Sequence, residues 1–110
     1  MRADEIINKT SELVSGDRKE AYGDVMLGLT RIAGIWNALM GAAGKAPARP
    51  LDAHDVAQMM VGLKQARAYT GPLRFDNFID AAGWSAIAGE AAARTRGVSY
   101  ETSDSNGVHK

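Results

Sequence analysis

Apolar residues recur along this chain at intervals of three and four, with no strand-like alternation of any useful length. With 3.6 residues per turn, that spacing returns side chains to one face of a helix, so it predicts helices and no strands. A first helix is expected over Ala3 to Ser15, with Ile6, Thr10, Leu13 and Val14 on one face, Ile7 at its edge and Gly16 ending it. The stretch from Gly16 to Asp24 is polar, contains two glycines and reads as an ordered loop. Asp24 is placed to N-cap a second helix from Val25 to about Gly41, whose apolar stripe is Val25, Leu29, Ile32, Trp36, Leu39 and Met40. After an Ala-, Gly- and Pro-rich linker over Ala42 to Pro50, Asp52 and Asp55 have the spacing of a capping box with a shorter acid. They open a third helix that runs to about Tyr69, with Val56, Met59, Met60 and Leu63 as its core face. Thr70-Gly71-Pro72 is a stop signal. The fourth helix begins near Arg74 to Asp76 and continues to about Arg94, with Phe78, Ala82, Ala86 and Ala93 on one side and Trp84, Ala88 and Ala91 on another.

These elements predict an all-α fold, a four-helix bundle-like domain over residues 1–96, followed by a tail over 97–110 whose composition is that of a disordered segment. A length of 110 residues suits one domain. The second and fourth helices carry too little charge for a lone bundle: the second has only Arg31, and between Phe78 and Ala93 the fourth has only Asp80 and Glu90. Several exposed apolar side chains are an aggregation liability, so a homo-oligomer is expected, with Gly83, Ala86, Gly89 and Ala93 permitting close helix approach.

Thirteen basic residues balance thirteen acidic ones, which makes nucleic acid an unlikely partner. The absence of cysteine excludes disulfides, thiolate zinc sites and cysteine nucleophiles. No apolar run is read as approaching the roughly 20 residues of a membrane span, and no leader-like segment opens the chain. A soluble intracellular protein without a membrane partner is the resulting expectation.

Candidate chemistry lies where polar residues break the helical pattern. On a wheel anchored at Val56, Arg67 falls about 20° away, inside the core stripe, with Lys64 at its edge. A guanidinium there requires a carboxylate or an anionic ligand. Asp76 and Asp80 share a face of the fourth helix beside Asn77, and can hold one divalent cation or receive a basic side chain. Asp76 is equally placed to be that helix's N-cap, and Asp80 to pair with Lys64 or Arg67. In the loop, Arg18 and Tyr22 combine a guanidinium with an aromatic face, next to Asp24. Trp36 belongs to the core stripe, Trp84 lies off the main face as an interface or stacking platform, and His54 beside Asp55 is weak evidence for a metal.

Taken together, Gly16-Asp17-Arg18, Tyr22-Gly23-Asp24, Asp55-Val56, Met59-Met60, Leu63-Lys64, Arg67, Asp76-Asn77, Asp80 and Ala82-Gly83-Trp84 resemble a family of small phage and prophage proteins of undefined function. The likeness covers roughly Ile6 to Glu90 and implies a viral protein in the cytoplasm of an infected bacterial host. More distantly, the chain is similar to the MazG-like all-α nucleoside triphosphate pyrophosphohydrolases. That resemblance implies an oligomeric helical bundle holding magnesium on an E-x-x-E and an E-x-x-D pair. Asp76 and Asp80 stand in for the second pair with one extra residue between them, and the first pair has no match.

Three functions follow as expectations. The first is a binder of a nucleotide-derived small molecule, needing no cofactor and leaving the ligand intact: Arg18, Lys64 and Arg67 on phosphates, Tyr22 or Trp84 on a base, and Asp24, Asp76, Asn77 and Asp80 on hydroxyls and base edges. It would act as a sponge for a bacterial immune signalling nucleotide. The second is a magnesium-dependent pyrophosphohydrolase with the metal on Asp76 and Asp80. The third is an interaction protein in which these charges form an internal network. The balance leans away from an enzyme.

Overall fold

The computed structural model describes residues 1–15 and 24–98. It contains four helices, α1 (Ala3–Val14), α2 (Val25–Ala42), α3 (Ala53–Ala68) and α4 (Phe75–Arg96), and no strand among the described residues. This all-helical arrangement is compatible with a four-helix bundle. The expected loop residues Arg18 and Tyr22, the helix stop at Gly16 and the tail beyond Val98 lie outside the described residues.

The helix starts follow local chemistry. Asp24 caps α2 by accepting the Met26 N–H on Oδ1 at 2.9 Å. At α3, Asp52 Oδ1 accepts from the Asp55 N–H, and Asp55 Oδ2 accepts from the Asp52 N–H, both at 2.9 Å. This reciprocal box satisfies two amides that helix geometry leaves without partners. Gly97 ends α4 in a left-handed conformation, φ 68°, which lets the Val98 N–H reach back to the Ala93 carbonyl at 2.9 Å. Asp76 does not cap α4. The helix begins one residue earlier, behind Arg74 in an extended conformation, and Asp76 lies within the first turn, where its charge still complements the helix dipole.

The Asp52 carboxyl is held below its ordinary value of 3.8, first by the hydrogen bond from the Asp55 backbone and further by the Asp55 side chain and His54. A carboxyl whose pKa falls on folding stabilises the fold above its unfolded pKa, and that contribution disappears as pH drops through the lowered folded value. Stability should therefore decline on acidification below about 3.8. Asp52→Asn keeps a capping oxygen and should flatten that acid limb, whereas Asp52→Ala should cost about 1 kcal/mol at neutral pH. Matching pH–stability curves for wild type and Asp52→Asn would remove the carboxylate from this account.

Packing is organised around α4. α3 lies along most of it, α1 docks on a different flank of its N-terminal half, and α2 packs on α3. Met26, Leu29 and Ala33 of α2, Val56 and Ala57 of α3, and Ala88 and Ala91 of α4 form the core, with Ile32, Trp36, Trp84 and Ile87 packed against it. The linker is fastened to α2 by Asn37, whose side chain donates to the Leu51 carbonyl at 3.0 Å and accepts the Leu51 N–H at 2.8 Å.

Several expected core positions face outward. Met59 and Leu63 are exposed, and the packed face of α3 runs instead through Ala53, Val56, Ala57, Met60 and Lys64. Leu39 is 63% exposed. Arg67 is exposed too, not buried in the core stripe. The reason is common to the three α3 positions. The packed positions Ala53, Val56, Ala57, Met60 and Lys64 centre about 60° around the helix from Val56, so a wheel centred on Val56 is rotated toward solvent and takes in Met59, Leu63 and Arg67. Trp84 is half-buried and packs against the core. Gly83 is buried under α1, so it serves contact within the chain and not between chains.

The 18 residues of α2 are long and apolar enough, by length and composition, to cross a membrane; 17% of them are buried, and they include Arg31.

Candidate functional site

α1 and α4 run parallel. The Thr10 hydroxyl lies 3.3 Å from the Ile79 carbonyl, while a turn later Leu13 and Val14 meet the backbone at Gly83. Thr10 is buried at this seam, and its hydroxyl also reaches the Ile6 carbonyl at 2.9 Å, so it has no unmet polar group. The missing side chain at Gly83 lets the two backbones approach closely.

Beside this seam is an open cleft of about 490 Å³ lined by Lys9, Glu12, Leu13, Asp76, Ile79 and Asp80. Leu13 and Ile79 supply apolar surface, and the charged groups stand around it. From α3, Lys64 Nζ reaches Asp80 Oδ2 at 3.1 Å, with both side chains less than one-third exposed. The long alkyl stem of Lys64 occupies a packed position while its head meets the acid. Asp80 therefore joins three helices: it belongs to α4, lines the cleft against α1 and pairs with α3.

The two aspartates expected to act together do line one cleft, and Lys64 is the base that pairs with Asp80. Arg67 follows Lys64 by about one turn of α3 and has no ionic partner among the described residues. Asn77 is buried and so is not a surface contact. Asp24 is accounted for by its capping bond. Arg18 and Tyr22 lie outside the described residues.

Lys9 and Glu12 were absent from the sequence expectations. They flank the Thr10–Leu13 stripe, where solvated charges are ordinary. Nothing in α1 alone shows that α4 will bring Asp76 and Asp80 opposite them.

The cleft holds three carboxylates, from Glu12, Asp76 and Asp80, and one ammonium group, from Lys9, while Lys64 outside the lining pairs with Asp80. A bare phosphate would meet an excess of like charge there, and a divalent cation would reverse that balance. The carboxylates do not converge tightly: among the described residues, the set of candidate ligand atoms that lie within 4.8 Å of one another is Asp52, His54 and Asp55. That set is the α3 capping box with a neighbouring histidine. Glu12, Asp76 and Asp80 instead suit a cation that keeps much of its water, as magnesium does.

A family model described as a domain of unknown function, DUF6378, matches residues 5–92. The chain is also 32% identical over 82 residues to the Gene 55 protein of Mycobacterium phage L5, which covers 74% of this chain and 49% of that protein. It thus spans about half the length of the curated relative it matches. No solved structure matches.

Proposed function

The chain belongs to the DUF6378 family, and from that premise we propose that it binds a phosphorylated, nucleotide-derived small molecule in the α1/α4 cleft without turning it over. The observation that carries this reading is the convergence of Lys9, Glu12, Asp76 and Asp80, with Lys64 behind Asp80, around a cleft of about 490 Å³. Small-molecule sites typically occupy about 300–1,000 Å³. Lys9 is placed to meet phosphate directly. Glu12, Asp76 and Asp80 would hold a hydrated magnesium ion, which supplies the positive charge that a polyphosphate needs beside these acids. Lys64 fixes the rotamer of Asp80 and tempers its charge. Arg67, one turn along α3, would serve the outer phosphates.

The similarity to a mycobacteriophage protein supports a phage protein working in an infected bacterial cell, where stoichiometric capture of a signalling nucleotide would blunt host immunity. One observation favours a second reading, a magnesium-dependent nucleoside triphosphate pyrophosphohydrolase. α1 brings a third carboxylate, Glu12, to the aspartates of α4, so the acids come from two helices as a MazG-like site would require. That set is still one carboxylate short of the two pairs such enzymes carry.

Calorimetric titration with nucleoside triphosphates, cyclic dinucleotides and ADP-ribose-type nucleotides separates these readings. Binding is expected only with magnesium, and heating should release the ligand unchanged. Asp80→Asn, which keeps a hydrogen-bond acceptor for Lys64 but removes the charge, should weaken binding by about tenfold or more, equivalent to about 1.4 kcal/mol. Release of pyrophosphate, abolished by a chelator, would make the protein the hydrolase. No heat with any of these ligands, with or without magnesium, would overturn both readings.

A further inference from the structure

We propose that the outward face of α2 is a self-association surface on which a second copy of this chain packs its own α2 in antiparallel orientation. Only Met26, Leu29 and Ala33 of this helix are buried. On the opposite side, Leu27 is 47% exposed, Ile35 60% and Leu39 63%, with Gly34, Ala38 and Ala42 exposed beside them. At 100° and 1.5 Å per residue, Leu27, Arg31, Gly34, Ile35, Ala38, Leu39 and Ala42 form one continuous face along about 22 Å of helix.

Charge selects the occupant and its direction. Arg31 is the one charged side chain in α2, lies on this face, and has no acidic partner among the described residues. The helix has no basic residue in its last turn, so its negative C-terminal pole lacks the usual compensating cation. An antiparallel copy centred near Ile35 answers both features at once. It sets Arg31 level with the partner's Leu39, from where the long side chain reaches the last turn, and symmetry repeats the contact at the other end. A parallel copy would instead bring the two Arg31 side chains together. Gly34 fits the same arrangement. A Cβ built there meets nothing within 4 Å, so no contact among the described residues requires glycine at an exposed mid-helix position, where it is about 1 kcal/mol less favourable than alanine. Close approach of a second backbone would use the space. A lipid bilayer is the poorer occupant, because it would have to take up Arg31 near the middle of the helix.

The chain has no cysteine, so single cysteine variants report this geometry without background. Near the two-fold axis, Ile35→Cys should cross-link on mild oxidation. Leu27→Cys should not, since its two copies would lie about 24 Å apart along the helix axis and a disulfide spans Cα atoms no more than about 7 Å apart. Sedimentation of the full chain should give twice the chain mass. Ile35→Glu should weaken association by about tenfold or more while retaining helical circular dichroism, and Phe78→Glu, on the exposed side of α4, should leave association unchanged. A monomer at high protein concentration, cross-linking by both cysteines, or loss of association with Phe78→Glu alone would overturn the proposal. So would a monomer that floats with neutral lipid vesicles. None of these readouts depends on the α1/α4 cleft, so this surface and the ligand site stand or fall separately.

Discussion

Leu29→Ala should lower the free energy of unfolding by about 2–5 kcal/mol, measured by urea denaturation monitored at the helical circular dichroism band. The size of the effect follows from how little core this fold has. Among the described residues, Leu29 and Val56 are the largest fully buried side chains, and the rest of the core cluster is built mainly from alanines. Removing the three outer carbons of Leu29 opens a space in the core that short neighbours such as Ala33, Ala57 and Ala88 cannot reach across to fill. Domains of this kind have about 5–15 kcal/mol in total, so the variant should lose a large share of its stability. Leu73→Ala is the matched control. Leu73 is 68% exposed, and its truncation should change stability by less than about 0.5 kcal/mol. Equal effects of the two variants would mean that α2 is not packed as described.

Gly83→Leu should detach α1 from α4 and abolish ligand binding in the cleft, while Gly83→Ala should preserve both. A Cβ at position 83 would lie 3.4 Å from Val14 Cγ1, 3.6 Å from Leu13 Cδ2 and 3.8 Å from Thr10 Cγ2, all ordinary contact distances. Alanine therefore fits, and its better helix propensity should stabilise α4 by up to about 1 kcal/mol. The three further carbons of leucine have nowhere to go at a seam this tight. Overpacking of this kind costs about 1–3 kcal/mol. α1 is the element least able to resist that cost, since its 12 residues pack chiefly on α4 and lie outside the central core cluster. Hydrogen exchange should show the loss directly: amides over Thr10 to Val14 lose protection in Gly83→Leu, whereas those of α3 and the C-terminal half of α4 keep it. Because Lys9 and Glu12 leave with α1, the cleft loses half its charged lining. Retained protection of α1 in this variant would break the link between Gly83 and the site.

These two sites also show why some features were legible in the sequence and others were not. Periodicity places Leu29 in the core, because helical spacing turns it toward the same covered side of α2 as Met26 and Ala33. Asp24, Asp52 and Asp55 were placed correctly because capping is satisfied within four residues of the backbone it serves. The pairing of Asp80 with a base on α3 was among the expectations, but the choice between Lys64 and Arg67 was not settled by spacing. The two differ by about 60° around the helix, and only the position of α4 decides which one it meets. Gly83 was assigned to contact between chains, since a small residue on a helix signals close approach without saying of what.

What the sequence determines by itself is therefore local: four helices, the caps of α2 and α3, and the acids and bases available on each. Those features depend on hydrogen bonds and side-chain phases within a few residues of one another. Tertiary structure alone decided that α1 lies parallel to α4, that Lys9 and Glu12 face Asp76 and Asp80, and that Arg67 faces water. Each of these depends on which part of a helix face is covered, and by what. The helical period gives the direction of a side chain around its own axis, but carries no information about how far along that axis a neighbouring helix extends.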